Sequence, residues 1–436
     1  MEWQQLLTPK RLGKENFDSV HSQRTAFVRD YDRLIYSASF RRLKDKTQVF
    51  PLAKNDDIRT RLIHSLEVSC VGRSLGRIVG EQIIKRHHLP NVEAADFGDI
   101  VSAACIGHDI GNPPFGHAGE DALQAAFKSW YAHPEAPLLS AAEKADLDQF
   151  EGNAQGFRIL TRLGMPHRYG ALQLTCATLA TFTKYPRESF IDKEILGDYG
   201  GVSTKKYGFF QAERDIFSEV ADTVGLIRRH PEAAWWCRHP LTFLVEAADD
   251  ICYSTVDLED GFRMGYLSFE EVEGLLNAIA QVKDVWSGSP RETIERLRAK
   301  VINELIKEIT EIFLAYEPAI LNGEFDLPLL SLSRHASTLK LMEEKAYSDI
   351  FHHPNVVSIK IAGYEVLGGL FAEFVKGLFL PDYKAGLLQH MLPIEYRPSA
   401  SENSYCKLLR LTDYISGMAD SSATMLFQQL KGISLN

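Results

Sequence analysis

The sequence predicts an all-α fold, with a helical core and additional helices towards the C-terminus. Apolar residues recur at helical spacing over 59–86, 241–260 and 293–316. Strand signals are few, and they are confined to 47–51 and, more weakly, to 207–211. No internal repeat is visible, and composition marks no clean domain boundary. The chain is therefore expected to consist largely of long amphipathic helices.

Two further helices are predicted at 30–43 and 95–109. The second is apolar and ends before the Gly-Asn-Pro-Pro stretch at 111–114, which cannot continue a helix. The Ala-, Pro- and Glu-rich stretch 129–148 is expected to be a surface loop. Residues 184–210 are expected to form a longer irregular segment, and long segments of this kind are often functional.

Length, charge and cysteine usage narrow the class of protein. The 436 residues are 45% hydrophobic, which is ample for one large domain or two. The net charge of -10 disfavours a general binder of polyanions, and no apolar run reaches the length of about 18 residues that a membrane span needs. The six cysteines are scattered without a CxxC pair, and residues 1–14 carry no signal-peptide pattern. A reducing, cytoplasmic location is expected.

A histidine and an aspartate, His108 and Asp109, stand side by side at the end of the apolar helix 95–109. Imidazole nitrogen and carboxylate oxygen together suit a divalent ion such as Mn, Fe, Co, Ni or Zn. Asp109 lies on an otherwise apolar helix, so its buried charge needs a partner, and a metal ion is a suitable one. The alternative is an ordinary helix end with a hydrogen-bonded histidine.

His64 lies among apolar residues of the preceding long helix, three residues after Arg61. Residues at this spacing share one face of a helix. A metal ligand beside a fixed cation suits a phosphate bound to that metal. The alternative is a core histidine whose ring is satisfied by hydrogen bonds.

Two adjacent acids, Asp249 and Asp250, follow an apolar run and offer a further ligand. Asp249, Tyr253 and Asp257 recur every four residues and form one polar stripe on a helix. Asp249 is therefore preferred as the metal ligand, and Asp250 is expected to interact with a neighbouring helix or to support the ligands from behind. The alternative is a solvated acidic face.

The order His64, His108-Asp109, Asp249 resembles that of the HD-domain phosphohydrolase superfamily. The motifs around these residues resemble more closely the deoxyguanosine triphosphate triphosphohydrolase (dGTPase) family. This likeness spans about 24–420 and is weaker over 261–380. The motifs that carry it are RRL at 41–43, KTQVFP at 46–51, RTRLIHS at 59–65, HDIGNPPFGHAGE at 108–120, FEGNAQG at 150–156, the segment 246–260 and DYISGM at 413–418.

The resemblance implies a single unit over 1–436, with an HD catalytic core at 59–260 and a helical C-terminal region at 261–436. It implies one divalent metal ion, with Mn, Mg or Co expected, and cleavage of a deoxynucleoside triphosphate to a deoxynucleoside and inorganic triphosphate. It also implies a homo-oligomer, commonly a hexamer, with single-stranded DNA or a nucleotide as a candidate effector. The base preference is left open.

Two other functions stay open at this point. The first is another HD phosphohydrolase that acts on a nucleotide monoester or a signalling nucleotide. The second is a nucleic-acid-binding regulatory protein, for which the basic residues at 41–46 are the candidate contact. A solvated helix end explains the same basic residues.

His117 and Glu120 form a candidate acid–base pair at the start of a new helix. At a spacing of three residues their side chains face the same way, so Glu120 is expected to hydrogen-bond His117 and orient it. His117 would then activate water or protonate the leaving oxygen. The alternative is a plain helix start with Glu120 near the positive end of the helix dipole.

The remaining candidates are substrate-binding residues. Arg61 is the cation best placed by spacing, and Tyr253 is the candidate aromatic ring that would crowd out a 2′-hydroxyl. The resemblance further implies that Lys184 and Lys206 contact phosphates, although both are otherwise readable as solvated loop lysines.

The resemblance also assigns roles at the sugar end of the site. It implies that Gln48 contacts the sugar and that Asp257 supports that end of the site. Asn153 is expected near phosphate or sugar. For Gln48 and Asn153, a turn or helix-cap role is the alternative.

Overall fold

The computed structural model describes residues 1–14, 24–48, 59–283, 288–380, 382–399 and 401–434. These ranges form α-helices joined by short 3₁₀ and π turns, with isolated β-bridges and no sheet. The predicted all-α class is confirmed.

The helices of the N-terminal half are α1 (Trp3–Leu6), α2 (Ala26–Ile35), α3 (Ala38–Arg42), α4 (Arg61–His87), α5 (Ala94–Gly107), α6 (His117–Trp130), α7 (Ala141–Asp148), α8 (Gly152–Arg158), α9 (Cys176–Phe182), α10 (Lys193–Leu196) and α11 (Arg214–Val224). Those of the C-terminal half are α12 (Thr242–Arg263), α13 (Phe269–Ala280), α14 (Pro290–Leu321), α15 (Ala336–Lys345), α16 (Pro354–Phe379), α17 (Tyr383–Met391), α18 (Ser404–Ser416) and α19 (Asp420–Leu430).

Helix caps explain where the structure departs from the predicted elements. The predicted helix 30–43 is split into α2 and α3, because the Ser37 side chain caps a new helix by accepting from the Phe40 amide. The loop predicted at 129–148 is wrong over its last eight residues, where Ser140 and Glu143 form a capping box that starts α7.

The strand predictions also fail where they can be judged. Residues 207–211 form no strand, and the Tyr207 hydroxyl instead donates to the Asp146 carbonyl at 2.6 Å. Thr47 forms a single bridge with Thr60, and the rest of the predicted strand, 49–51, lies outside the described residues. The segment 184–210 is largely irregular, as predicted, with one short helix and one 3₁₀ turn.

Helices α4 and α5 pack with their backbones unusually close. Gly72, Gly76 and Gly80 follow one another at one-turn intervals on the face of α4 that meets α5. A Cβ at Gly76 would lie 2.7 Å from the carbonyl oxygen of Phe97, and one at Gly72 would lie 2.5 Å from Sγ of Cys105. Neither approach is possible for a residue with a side chain, so this small-residue face fixes the register of the two helices.

Two apolar clusters form the core. The larger joins buried faces of α2, α4, α5, α9, α11, α12 and α14. The smaller joins α6 to α16 and α18, and its centre includes Phe127 and Phe371, whose ring centroids are 4.5 Å apart. The short turn from α5 to α6 therefore passes from one cluster to the other.

Two sequence expectations concern disulfide bonds and membrane spans. All six cysteines are free thiols, in keeping with the absence of a disulfide framework in the sequence. Within the described ranges, no helix combines the length and the apolar character needed to cross a bilayer.

We expect Gly76→Ala to destabilise the protein by about 1–3 kcal/mol, because the added methyl would force α4 and α5 apart. The matched control is Gly274→Ala in α13, where a Cβ would meet nothing within 4 Å. That change should stabilise the protein by about 0.5–1 kcal/mol through helix propensity. Denaturant unfolding of the two variants measures both effects, and equal effects would rule out the close-packing explanation.

Candidate active site

Three helices bring two histidines and one aspartate together. His64 lies on α4, His108 follows α5 directly, and Asp249 lies on α12. Their donor atoms all lie within 4.8 Å of one another. The Nε2 atom of His64 is 3.0 Å, and that of His108 3.6 Å, from Oδ1 of Asp249. Two imidazole nitrogens and a carboxylate oxygen at this separation fit a single divalent transition metal ion.

The ring of His108 is held in the orientation that a ligand needs. Its Nδ1 donates a 2.7 Å hydrogen bond to the carbonyl oxygen of Cys105, which lies one turn earlier in α5. This bond places the proton on Nδ1 and leaves the lone pair on Nε2, which faces Asp249. The end of the helix therefore sets both the place and the tautomer of the histidine.

Asp249, rather than its neighbour, meets the histidines. Burial opposes ionisation of Asp249, but His108 and His64 outweigh it and hold its pKa well below the usual range. Asp250 is not a member of the donor group, and burial raises its pKa to about 7 even though Lys184 opposes this. The pKa values of the two adjacent acids are thus shifted in opposite directions.

Asp109 lies at the edge of the donor group. Its Oδ1 is 3.6 Å from Nε2 of His108, while its Oδ2 accepts a 2.7 Å hydrogen bond from Arg61. The Asn112 side chain donates to it as well. Burial raises the pKa of Asp109, but Arg61 outweighs this effect and lowers it to about 2. Asp109 is therefore a charged carboxylate held by a buried arginine beside the donor group.

The turn between α5 and α6 places Arg61 and His117. Phe115 and Gly116 both adopt left-handed backbone conformations, with φ of 61° and 59°. A Cβ on Gly116 would lie 2.5 Å from a guanidinium nitrogen of Arg61, so only glycine leaves room for that side chain. His117 follows as the first residue of α6.

The ring of His117 is partly exposed at the cavity described below. Burial, together with the positive charges of Lys206 and Arg61, lowers the pKa of His117 below its ordinary value. The ring is therefore neutral at pH 7 and able to accept a proton.

The expected hydrogen bond between His117 and Glu120 is not formed in the described structure, which corrects that prediction. Glu120 instead accepts a 2.8 Å hydrogen bond from the Gly152 amide, and its other oxygen is 3.8 Å from Nζ of Lys206. Burial and the nearby Glu151 raise the pKa of Glu120 to about 7. The spacing of three residues correctly placed His117 and Glu120 on the same face of α6. The Glu120 carboxylate, however, interacts with Gly152 and Lys206, which are distant in sequence.

A cavity of about 150 Å³ adjoins the donor group. The side chains that line it are mostly polar or charged. They include His108, Asp109, Asn112, His117, Glu120, Glu151, Asn153, Lys184, Tyr185, Lys206, Glu246 and Asp249. The predicted ligand, acid–base and phosphate-binding residues are thus largely gathered at one place.

Each cavity lysine is paired with a glutamate. Lys184 Nζ lies 3.3 Å from Glu246, and Lys206 Nζ lies 2.8 Å from Glu151. Burial disfavours the charge on both lysines, but the glutamates outweigh it and raise both pKa values. Both ammonium groups are therefore charged and face the cavity.

The first residues of α8 form the wall next to Lys206. Glu151 caps this helix by accepting from the Asn153 amide, and it also accepts from the Asn153 side chain at 2.6 Å. One carboxylate thus orders a helix start, an asparagine and a lysine.

Four predicted substrate residues lie outside the cavity wall. Arg61 is one of them, and its guanidinium binds Asp109. Tyr253 stacks on Phe351 with ring centroids 5.9 Å apart. Asp257 is buried, burial raises its pKa to about 8, and its Oδ2 has no hydrogen-bond partner among the described residues. The buried Oε1 of Gln48 has no hydrogen-bond partner within the described ranges, and Gln48 ends the described segment 24–48.

Sequence reasoning assigned no role to Glu151, Glu246 or Tyr185, all of which line the cavity. Glu151 and Glu246 lay inside motifs already singled out, and Glu246 precedes Asp249 by three residues, which places both on one face of α12. This spacing was a usable signal. No comparable pattern marks Tyr185.

Known proteins are similar to this chain both over the segment that carries His64, His108 and Asp109 and over most of the remaining residues. A family model for the HD domain matches residues 61–148. A deoxyguanosinetriphosphate triphosphohydrolase-like protein of Synechocystis sp. is 63% identical over 440 aligned residues, with 100% of both chains covered. A protein of the same name from Pseudomonas aeruginosa is 39% identical, covering 100% of this chain and 99% of the relative.

A deoxyguanosinetriphosphate triphosphohydrolase of Salmonella paratyphi A is 30% identical, with 93% of this chain and 94% of the relative covered. These relatives align with nearly the whole chain, so the likeness is not confined to the HD segment. The chain belongs to the deoxyguanosinetriphosphate triphosphohydrolase family of HD-domain hydrolases.

Proposed function

We propose that this protein hydrolyses a deoxynucleoside triphosphate to a deoxynucleoside and inorganic triphosphate, with the help of one divalent metal ion. The observation that carries the proposal is a single polar cavity that joins the His-His-Asp donor group to two charged lysines. The names of the relatives make dGTP the first substrate to test. Mn, Mg and Co are the metals to compare.

His64, His108 and Asp249 would hold the metal ion, with Asp109 as a further carboxylate at the edge of the group. When bound, a divalent ion supplies Lewis-acid chemistry, because it polarises a phosphoryl oxygen and stabilises the charge that develops there. The chain's part is to present carboxylate oxygens and imidazole nitrogens in a fixed geometry.

Lys184 and Lys206 would take the triphosphate. Both ammonium groups already face the cavity, where Glu246 and Glu151 balance their charge. A polyphosphate can replace these carboxylates as the partner of each lysine. Arg238 stays bound to Glu246 at 2.8 Å, so Glu246 keeps a buried cation when Lys184 turns to phosphate.

His117 is the group of the chain best suited to move the proton. Cleavage that yields intact triphosphate requires attack of water at the α-phosphorus and release of the 5′-oxygen of the sugar. A neutral imidazole at the cavity can accept a proton from the attacking water, and the imidazolium so formed can pass that proton to the leaving oxygen. Glu120 contributes by holding Lys206 and the start of α8, rather than by orienting His117.

We expect each of the four dNTPs that is turned over to release deoxynucleoside and triphosphate in equal amounts, because the metal and the lysines gather at one end of the substrate. Chromatography of nucleoside and polyphosphate products, with Mn, Mg or Co and with GTP as the ribonucleotide control, measures this.

Release of pyrophosphate or orthophosphate instead would favour another HD phosphohydrolase. Salt-dependent DNA binding without turnover of any nucleotide would favour a regulatory protein.

We expect His108→Ala and Asp249→Ala to lose both bound metal and turnover, because each removes one donor of the group. Metal content after dialysis and the initial rate with dGTP are the two measurements. The matched control is His88→Asn at the exposed end of α4, a left-handed position with φ of 50° that asparagine tolerates. Metal retained in full by both cavity variants would contradict the assigned ligands.

We expect His117→Ala to reduce kcat by about 10²- to 10⁴-fold while metal content stays normal, because the ring moves a proton without holding the ion. Steady-state kinetics and metal analysis of the same preparation test this. Activity near that of the unmodified protein would exclude His117 from the acid–base role.

A further inference from the structure

The corner between α18 and α19, residues 413–420, touches the candidate site at several points although it is distant in sequence. We propose that this corner positions the α5–α6 turn and that Asp420 is its principal positioning residue. The inference rests on the proposed function, because it concerns the chemical step of that reaction. Sequence comparison drew attention to 413–418 without giving these residues any task.

Both carboxylate oxygens of Asp420 accept hydrogen bonds from segments that lead into the candidate site. Asp420 is 1% exposed and begins α19. Its Oδ1 accepts a 3.0 Å hydrogen bond from the Phe115 amide, and its Oδ2 accepts from the Thr47 amide and hydroxyl at 3.0 and 2.5 Å. One side chain therefore joins the turn before His117 to the residue before Gln48.

The turn needs such a support. Phe115 carries a side chain yet adopts a φ of 61°, a conformation unfavourable for any residue with a Cβ, and Gly116 follows with a φ of 59°. A residue keeps such a conformation only when its surroundings determine it. Because His117 comes two residues after Phe115, loss of the Asp420 contact would let the ring of His117 move.

Lys46 holds the other end of the same turn. Its buried ammonium donates to the Asn112 carbonyl at 2.5 Å and to the Ser416 carbonyl at 2.9 Å. Its own carbonyl accepts from the Arg61 amide at 3.1 Å, so the start of α4 is tied to the same point. Lys46 and Asp420 thus hold the turn from its two ends by hydrogen bonds.

Asp413, at the other end of the corner, fixes α8. Its carboxylate accepts two 2.8 Å hydrogen bonds from Arg158 and one of 3.0 Å from the Gln155 side chain. Helix α8 begins at Gly152 and carries Asn153 at the cavity wall. The corner therefore braces two separate walls of the cavity without lining it at 413–420.

This placement predicts a specific pattern of effects. Asp420 contacts neither the metal donors nor Lys184 and Lys206, so its loss should spare metal binding and the phosphate contacts of the two lysines. It should slow the chemical step, because a displacement of about 1 Å in a reacting group costs on the order of 10²-fold in rate. A residue that only stabilised the fold would lower the amount of active protein and change no kinetic constant of the remainder.

The experiment compares Asp420→Ala, Asp420→Asn and a matched control, Asp30→Ala. Asp30 is fully buried and makes the same kind of bonds, since its carboxylate accepts from the Thr175 amide and hydroxyl and from Arg11. Neither Asp30 nor these partners line the cavity. Four quantities are measured on each variant: the steady-state kinetics with dGTP, the metal affinity, the concentration of folded protein, and the amide hydrogen exchange of peptides covering 112–118.

We expect Asp420→Ala to lower kcat by about 10- to 100-fold, with KM and metal affinity nearly unchanged and with faster exchange in 112–118. Asp420→Asn should fall between this variant and the unmodified protein, since an amide oxygen can still accept from Phe115. Asp30→Ala should change stability without changing kcat or the exchange of 112–118.

Unchanged kcat per folded molecule in both Asp420 variants would overturn the proposal. An equal loss of kcat in Asp30→Ala would overturn it as well. If Asp420→Ala does not fold, the double variant Asp420→Asn, Thr47→Val takes its place. Its kcat and its exchange in 112–118 are then read by the same criteria. If the unmodified protein releases no triphosphate from any dNTP, the proposed function fails, while hydrogen exchange still tests whether Asp420 holds the turn.

Discussion

The close approach of α4 and α5 is the constraint on which the rest of the site depends. Because glycines line the contact, the two backbones lie near enough for His64 to stand beside the end of α5, where His108 and Asp109 are placed. Helix α12 then needs to add only Asp249. The ligand geometry is thus a property of helix packing, and the turn that follows α5 carries the chain from the metal donors to the candidate proton carrier within eight residues of Asp109.

Charge balance is the second theme of the cavity. Acidic side chains outnumber the lysines in its wall, and nearly every one has a specific partner: Arg61 for Asp109, Gly152 for Glu120, Lys206 for Glu151, and Arg238 with Lys184 for Glu246. Such a network keeps buried charges satisfied before any ligand enters. A polyanion and its cation can then enter together, since each brings the charge that the other and the wall require.

Local patterns were sufficient for part of this description. The helical class and most long helices followed from periodicity, and His108-Asp109, His64 and Asp249 stood out because charged groups interrupt apolar helix faces. The failures at the site came from contacts between distant segments, and those in the helix bounds came from local caps. Glu120 shares a face with His117 but binds Gly152 and Lys206, and α7 exists because of a cap that composition concealed. Tyr253 lies on the predicted stripe, yet Phe351, about a hundred residues away, decides where its ring packs. The division at residue 260, the oligomer and the nucleic-acid or nucleotide effector stay predictions.

The modest size of the cavity has a consequence for selectivity. A volume of about 150 Å³ is well below the roughly 300–1,000 Å³ typical of pockets that enclose a whole small molecule. In the proposed reaction, a chamber of this size would accommodate phosphates and leave the nucleobase outside it. Discrimination between purines and pyrimidines would then be exercised at the entrance, so the chemistry inside could stay the same while the entrance diverges among related proteins.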